Sequence, residues 1–143
     1  MGAGHWDEVY ATRPADQLSW FQRSADTSLR LIAAAASTDS AVVDVGAGRS
    51  PLVDALVDAG WSDLTVLDIS GEALAAVRGR LHDRAHGVSF VRADVLTWEP
   101  SRRYDVWHDR AVLHFLVEPA DRARYVATAT RAVAAGGALV LGT

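Results

Sequence analysis

Hydrophobic positions fall in short β-branched runs separated by stretches with helical spacing. Ala41-Val42-Val43-Asp44-Val45 runs into a glycine and reads as a buried strand. Leu64-Thr65-Val66-Leu67-Asp68, Val88-Ser89-Phe90-Val91, Tyr104-Asp105-Val106-Trp107 and Ala138-Leu139-Val140-Leu141 read as four more. Between the first two, Ser50-Pro51 offers a cap and a first turn, Leu52, Val53, Leu56 and Val57 give an apolar face, and Gly60 can end the helix. Ser70 caps a second helix carrying Leu74, Val77 and Leu81. Pro119 opens a helix to about Ala135, and Gly136-Gly137 is expected to turn the chain into the fifth strand. Residues 1–38 precede the sheet, with helical character from about Ala15 to Ala36, and suit a helical cap over it.

Strands alternating with helices imply right-handed crossovers and a doubly wound, Rossmann-like parallel α/β sheet of about five strands. The expected organisation is one domain, a 1–38 cap on a 39–143 core. Ligands of such sheets sit beyond the carboxyl ends of the strands, where strand order reverses. The residues just after each strand are therefore the candidates for chemistry.

Composition narrows the chemistry. The chain has 143 residues, half of them hydrophobic, with 14 basic and 18 acidic side chains and a net charge of −4. That balance argues against a nucleic-acid partner. Arg78, Arg80 and Arg84 read as a solvated helix face. There is no cysteine and no lysine, which excludes disulfides, a thiolate nucleophile, Schiff-base chemistry and a P-loop lysine. The N-terminus lacks an apolar signal core, and the longest apolar stretch is too short to span a membrane, so a cytoplasmic, bacterial-type domain is expected. His82 and His86 stand four apart without a clear third ligand, so no metal is expected.

Asp44-Val45-Gly46-Ala47-Gly48-Arg49-Ser50 joins a strand to a capped helix through a glycine turn. Such a turn brings backbone N–H groups and a helix N-terminus close to a ligand, suiting a pyrophosphate or a carboxylate; it can also be an ordinary tight turn. The dinucleotide fingerprint requires a glycine where Pro51 stands, which weakens a nicotinamide reading. Asp68, closing the second strand, can accept both hydroxyls of a ribose or favour the dipole of the next helix. Asp94 and Val95 follow the third strand, where an acid can accept from an adenine amine. His108, Asp109 and Arg110 are expected to emerge after the fourth, as a functional cluster or a local ion pair.

Together, Asp44-x-Gly46-x-Gly48, Asp68, Ala93-Asp94-Val95 and Gly136-Gly137 resemble the class I S-adenosylmethionine-dependent methyltransferases, over residues 40–143. His5-Trp6-Asp7-Glu8-Val9-Tyr10, Ser19-Trp20-Phe21 and the run from Trp107 to Phe115 resemble small bacterial members related to eukaryotic protein-lysine methyltransferases. The resemblance implies S-adenosylmethionine as cofactor and a small molecule or protein as methyl acceptor. It implies that Gly46, Ala47 and Gly48 pass the methionine part, with Asp44 near its ammonium. Asp68 would hold the ribose, Ile69 would pack on adenine, and Asp94 and Val95 would face the adenine edge. His108 and Asp109 would lie near the methionine end, and Trp20 and Tyr10 would help close the pocket.

An acceptor that loses a proton needs a base, and Asp109 is the first candidate, followed by His108, His114 and Tyr10. His114 reads more simply as packing beside Phe115. Ser50 replaces the family's third glycine and can cap the helix instead. The family's sheet continues with a helix and an antiparallel pair of strands, which would follow Thr143. The uncovered fifth strand then offers an edge for pairing with a second copy. A non-catalytic cofactor-binding module and a nicotinamide oxidoreductase are the rival readings.

Overall fold

Five parallel strands form one sheet in a computed structural model that describes residues 2–12 and 25–142. The strands are β1 (Val42–Val45), β2 (Leu64–Asp68), β3 (Val88–Arg92), β4 (Tyr104–Asp109) and β5 (Val133–Leu141), and their order is β3-β2-β1-β4-β5. Strand order reverses between β1 and β4, so the crevice for a ligand opens above that pair. The helices are α1 (Ala3–Thr12), α2 (Asp26–Ala35), α3 (Leu52–Asp58), α4 (Gly71–Leu81) and α5 (Pro119–Ala132).

The alternation of side chains along the central strands separates two cores. On one face Val42, Leu64, Val66 and Val106 pack under Ile32 of α2, Leu52, Val53 and Leu56 of α3, and Leu74, Val77 and Leu81 of α4. On the other, Val43, Val45, Leu67, Tyr104 and Trp107 pack under Tyr125, Ala129 and Ala132 of α5. No helix joins β3 to β4; Trp98 in that loop covers this face instead, with its ring 6.2 Å from Tyr104 and 6.5 Å from Trp107. β1 and β2 are buried on both faces, as their continuous apolar runs require.

Three boundaries depart from the expected ones. α5 stops at Ala132 and β5 begins at once, so Gly136-Gly137 lies inside the strand. The register against β4 shifts between Tyr104 and Val106 there, and Gly136 takes φ +79°, so the turn is absorbed as an irregularity in the strand. β4 runs on to Asp109, so His108 and Asp109 are buried strand residues pointing to opposite faces rather than residues emerging beyond it. The N-terminal region carries α1, which its weak amphipathic pattern does not predict, and the described part of the expected Ala15–Ala36 helix begins at Asp26. β5 is an exposed edge, with Leu139 and Leu141 about half accessible.

Candidate functional site

At the carboxyl ends of β1, β2 and β3 and over the loop after β4 lies a cavity of about 440 Å³. That is within the usual range for a small-molecule site. Its wall includes Gly46 after β1, Asp68 at the end of β2 and Ile69 after it, Asp94 and Val95 after β3, Val112 and Phe115 after β4, and Trp6 of α1.

The glycine turn is tied to the end of β2. Gly46 donates to the Leu67 carbonyl at 2.8 Å, and Gly48 donates to Asp68 Oδ2 at 2.7 Å. Gly46 holds φ +63° and Gly48 φ +57°, the left-handed region that glycine enters without strain. A Cβ on Gly46 would overlap Val112 Cγ2, so the loop after β4 rests directly on this glycine. Ser50 Oγ accepts from the Leu52 N–H at 3.2 Å, but α3 begins at Leu52 with Pro51 in the N-cap position, so Ser50 stands one residue before the cap that was expected of it.

Asp68 also accepts from the Ser70 N–H at 2.8 Å, through Oδ1. Its carboxylate is buried yet forms part of the cavity wall. Burial pushes its pKa up from 3.8 to about 6, and the Asp44 charge adds to this, against the opposing pull of the Ser70 and Gly48 N–H donors. Each oxygen holds one backbone donor and retains acceptor capacity for a ligand hydroxyl. Asp94 Oδ1 accepts from the Leu96 N–H at 2.9 Å, which shapes the turn after β3.

Asp44 and His108 are register neighbours across β1 and β4 and turn toward α2. His108 Nδ1 lies 2.8 Å from Asp44 Oδ1, and Nε2 lies 2.9 Å from Ser28 Oγ on α2. All three side chains are buried. Asp109 faces the opposite way. Its Oδ1 accepts from the Ala111 and Val112 N–H groups, and its Oδ2 from the Leu113 N–H and the Tyr125 hydroxyl. It is 1% exposed, and its acceptor sites are occupied in holding the loop after β4.

The wall thus brings together Gly46, Asp68, Ile69, Asp94 and Val95. Asp44, Ala47, Gly48, His108 and Asp109 stand behind it; they are not among the described lining residues. His114 is exposed beside Phe115, with ring centroids 5.1 Å apart. Trp20 and the side chain of Tyr10 lie outside the described residues.

A family model described as a methyltransferase domain matches residues 42–137. The chain belongs to that family. Among relatives of this methyltransferase domain is nodulation protein S of Rhizobium tropici, 28% identical over 123 residues, which are 86% of this chain and 51% of that protein. The glycopeptide N-methyltransferase MtfA, solved with S-adenosylmethionine, shares the fold with a TM-score of 0.70 at 23% identity. The match covers 80% of this chain and 52% of MtfA. The CcbJ methyltransferase from Streptomyces caelestis gives a TM-score of 0.76 at 20% identity, over 94% of this chain and 54% of that one. The chain therefore spans about half the length of the relatives it matches.

The methyltransferase domain closes its cavity with Trp6 and Asp7, members of the opening motif to which no individual role was assigned. Trp6 packs edge-on against Phe115, with ring centroids 5.8 Å apart. Asp7 anchors α1 by accepting from Ser70 Oγ at 2.6 Å and from Arg92 at 3.2 Å. The Ser70 hydrogen bond is the main reason the Asp7 pKa is lowered. Ser70 in turn accepts from the Ala73 N–H at 3.1 Å, so one serine caps α4 and holds α1. The cluster of Trp6 and Asp7 within the opening motif was the available signal. Among the described residues no helix is long and apolar enough to cross a membrane, and no group of acids and histidines could hold a metal.

Proposed function

We propose that this chain binds S-adenosylmethionine in the cavity above β1, β2 and β3 and directs methyl transfer to an amine-bearing small molecule or protein. The observation that carries the reading is the placement of Asp68, the last residue of β2, and Asp94, just after β3, on one cavity wall beside a left-handed glycine turn. The residues also fit the charge of the group. S-adenosylmethionine is cationic at sulfur and at its amino group, and the site sets Asp44 and Asp68 close enough for their charges to interact. Asp44 Oδ2 is buried with no hydrogen-bond partner among the described residues, an arrangement that a cationic donor relieves.

When bound, the cofactor supplies an electrophilic sulfonium methyl with a neutral leaving group. The chain's contribution is then mainly binding and orientation. Asp68 accepts the ribose hydroxyls while its two backbone donors keep the carboxylate in place. Asp94 and Val95 face the adenine edge, and Ile69 flanks the ring. Trp6, Val112 and Phe115 exclude water. Asp109 acts as the anchor of the 111–113 loop rather than as a base, because four donors already surround it. His108 is likewise a positioning residue, with both ring nitrogens engaged. The amine reading of the acceptor draws on Glu118 and Asp121, which also line the cavity, and on the N-methyltransferases among the structural relatives.

Titration calorimetry with S-adenosylmethionine and with the oxidised nicotinamide dinucleotide tests this directly. Binding of the first and not the second is expected, since Pro51 stands in place of the dinucleotide glycine. The reverse preference would replace the methyltransferase reading with an oxidoreductase one.

A further inference from the structure

The described wall of the cavity carries four carboxylates, Asp68, Asp94, Glu118 and Asp121, and no basic side chain. Three of the four are already held. Asp68 accepts from the Gly48 and Ser70 N–H groups, and Asp94 from that of Leu96. Asp121, in the first turn of α5, pairs with Arg124 at 3.0 Å and favours the helix dipole. Glu118 differs. It stands in the N-cap position of α5 but makes no side-chain cap hydrogen bond, and among the described residues its carboxylate meets no donor. The nearby Arg122 donates instead to the Leu116 carbonyl.

The cavity also divides by the elements that build it. The ends of β2 and β3 supply Asp68 and Asp94, on the proposed adenosine side. The segment after β4 supplies Phe115, Leu116, Val117 and Glu118, with Trp6 of α1 packed against Phe115. Val117 is 74% exposed, so this side opens to solvent. An uncommitted carboxylate beside apolar and aromatic side chains suits a cation carried on an apolar body. The carboxylate and the rings attract the charge, and the apolar side chains cover the rest. We propose that Glu118 selects the methyl acceptor by holding the ammonium of an amine whose apolar body rests on Val117 and the Trp6–Phe115 pair. The proposal rests on the S-adenosylmethionine reading above and narrows its acceptor to an amphipathic amine.

Two probes of nearly equal shape isolate the charge: benzylamine, a cation at about pH 7, and neutral benzyl alcohol. S-adenosylhomocysteine fills the cofactor side without a sulfonium charge. On the protein saturated with it, NMR titration should show benzylamine binding roughly five- to 20-fold more tightly than benzyl alcohol, with the Trp6 indole N–H resonance moving. Glu118→Gln should cut benzylamine affinity about three- to fivefold and leave benzyl alcohol within about twofold. Its affinity for S-adenosylhomocysteine should stay within about twofold of the wild type, because Glu118 is exposed and meets the acceptor rather than the cofactor. Asp121→Asn should change benzylamine binding by less than about twofold, its carboxylate being paired already. A wild type without amine preference, a preference that survives Glu118→Gln, or an equal loss in Asp121→Asn overturns the proposal. So does a Glu118→Gln variant that weakens S-adenosylmethionine relative to S-adenosylhomocysteine at an unchanged amine-to-alcohol ratio, which would assign this carboxylate to the sulfonium. A folded wild type that does not bind S-adenosylhomocysteine overturns the cofactor reading itself, and this inference with it.

Discussion

Tyr125 of α5 donates its hydroxyl to Asp109 Oδ2 at 2.5 Å while accepting from the Trp107 indole N–H at 2.9 Å. One side chain thus connects two positions on the same face of β4, two residues apart: a core tryptophan and the carboxylate that holds the next loop. Burial and the Asp109 charge push the Tyr125 pKa well above its ordinary value, so the hydroxyl remains a donor. Tyr125→Phe leaves the Trp107 N–H without its acceptor and removes one donor from Asp109. A loss of about 1–3 kcal/mol in urea unfolding is expected. A change of under about 0.5 kcal/mol would mean that this network does not hold β4 to α5.

Gly46 meets two demands at once, a φ of +63° and the close approach of Val112. Gly46→Ala should cost about 2–4 kcal/mol of stability, combining left-handed strain with overpacking. Gly46→Ala paired with Val112→Ala should recover the overpacking part only. Full recovery in the double variant would show that backbone conformation matters little at this turn.

α1 is held over the cavity from its two sides, by Asp7 on Ser70 and Arg92 and by Trp6 on Phe115. Asp7→Ala should speed amide hydrogen exchange across residues 3–12 while leaving exchange in β1 and β2 unchanged. Affinity for S-adenosylhomocysteine should fall several-fold with it. Unchanged exchange in α1 would place its anchor elsewhere.

The sheet was legible because its central strands are buried on both faces, and such strands are written as unbroken β-branched runs. The residues after β1, β2 and β3 were legible for the same reason, since a strand end fixes where Gly46, Asp68 and Asp94 stand. Asp109 was harder. A carboxylate at a strand end reads alike whether it meets a ligand or its own loop, and only the three-dimensional count of four donors separates the two. Ser28 gave no signal, because its partner His108 is 80 residues away in sequence. α1 escaped notice because it is fixed by Asp7 and Trp6 rather than by an apolar stripe. The glycine pair at 136–137 signals a turn locally, but pairing with β4 holds it within β5.

Asp68 makes both folding and binding depend on pH, with opposite signs. Its pKa is raised from 3.8 to about 6, so the folded state favours the protonated form. The stability this group contributes is fully present below pH 3.8 and is lost as pH rises through about 6. Ligand binding favours the ionised form, in which neither oxygen carries a proton and both can accept a ligand hydroxyl beside their backbone donors. Affinity for S-adenosylhomocysteine should be level above about pH 7 and fall by up to about tenfold per unit below pH 6. Calorimetry at pH 5 and pH 8 measures this, and Asp68→Ala should flatten the profile. An equal slope in that variant would assign the titration to another group.

The central claim is that the carboxylate closing β2 holds the ribose of S-adenosylmethionine. Titrating the wild type and Asp68→Ala with S-adenosylhomocysteine at pH 8 tests it most directly. The account predicts tight binding by the wild type and a loss of roughly 1.5–3 kcal/mol in the variant, about ten- to 150-fold in affinity. A folded variant that binds as well as the wild type would contradict it.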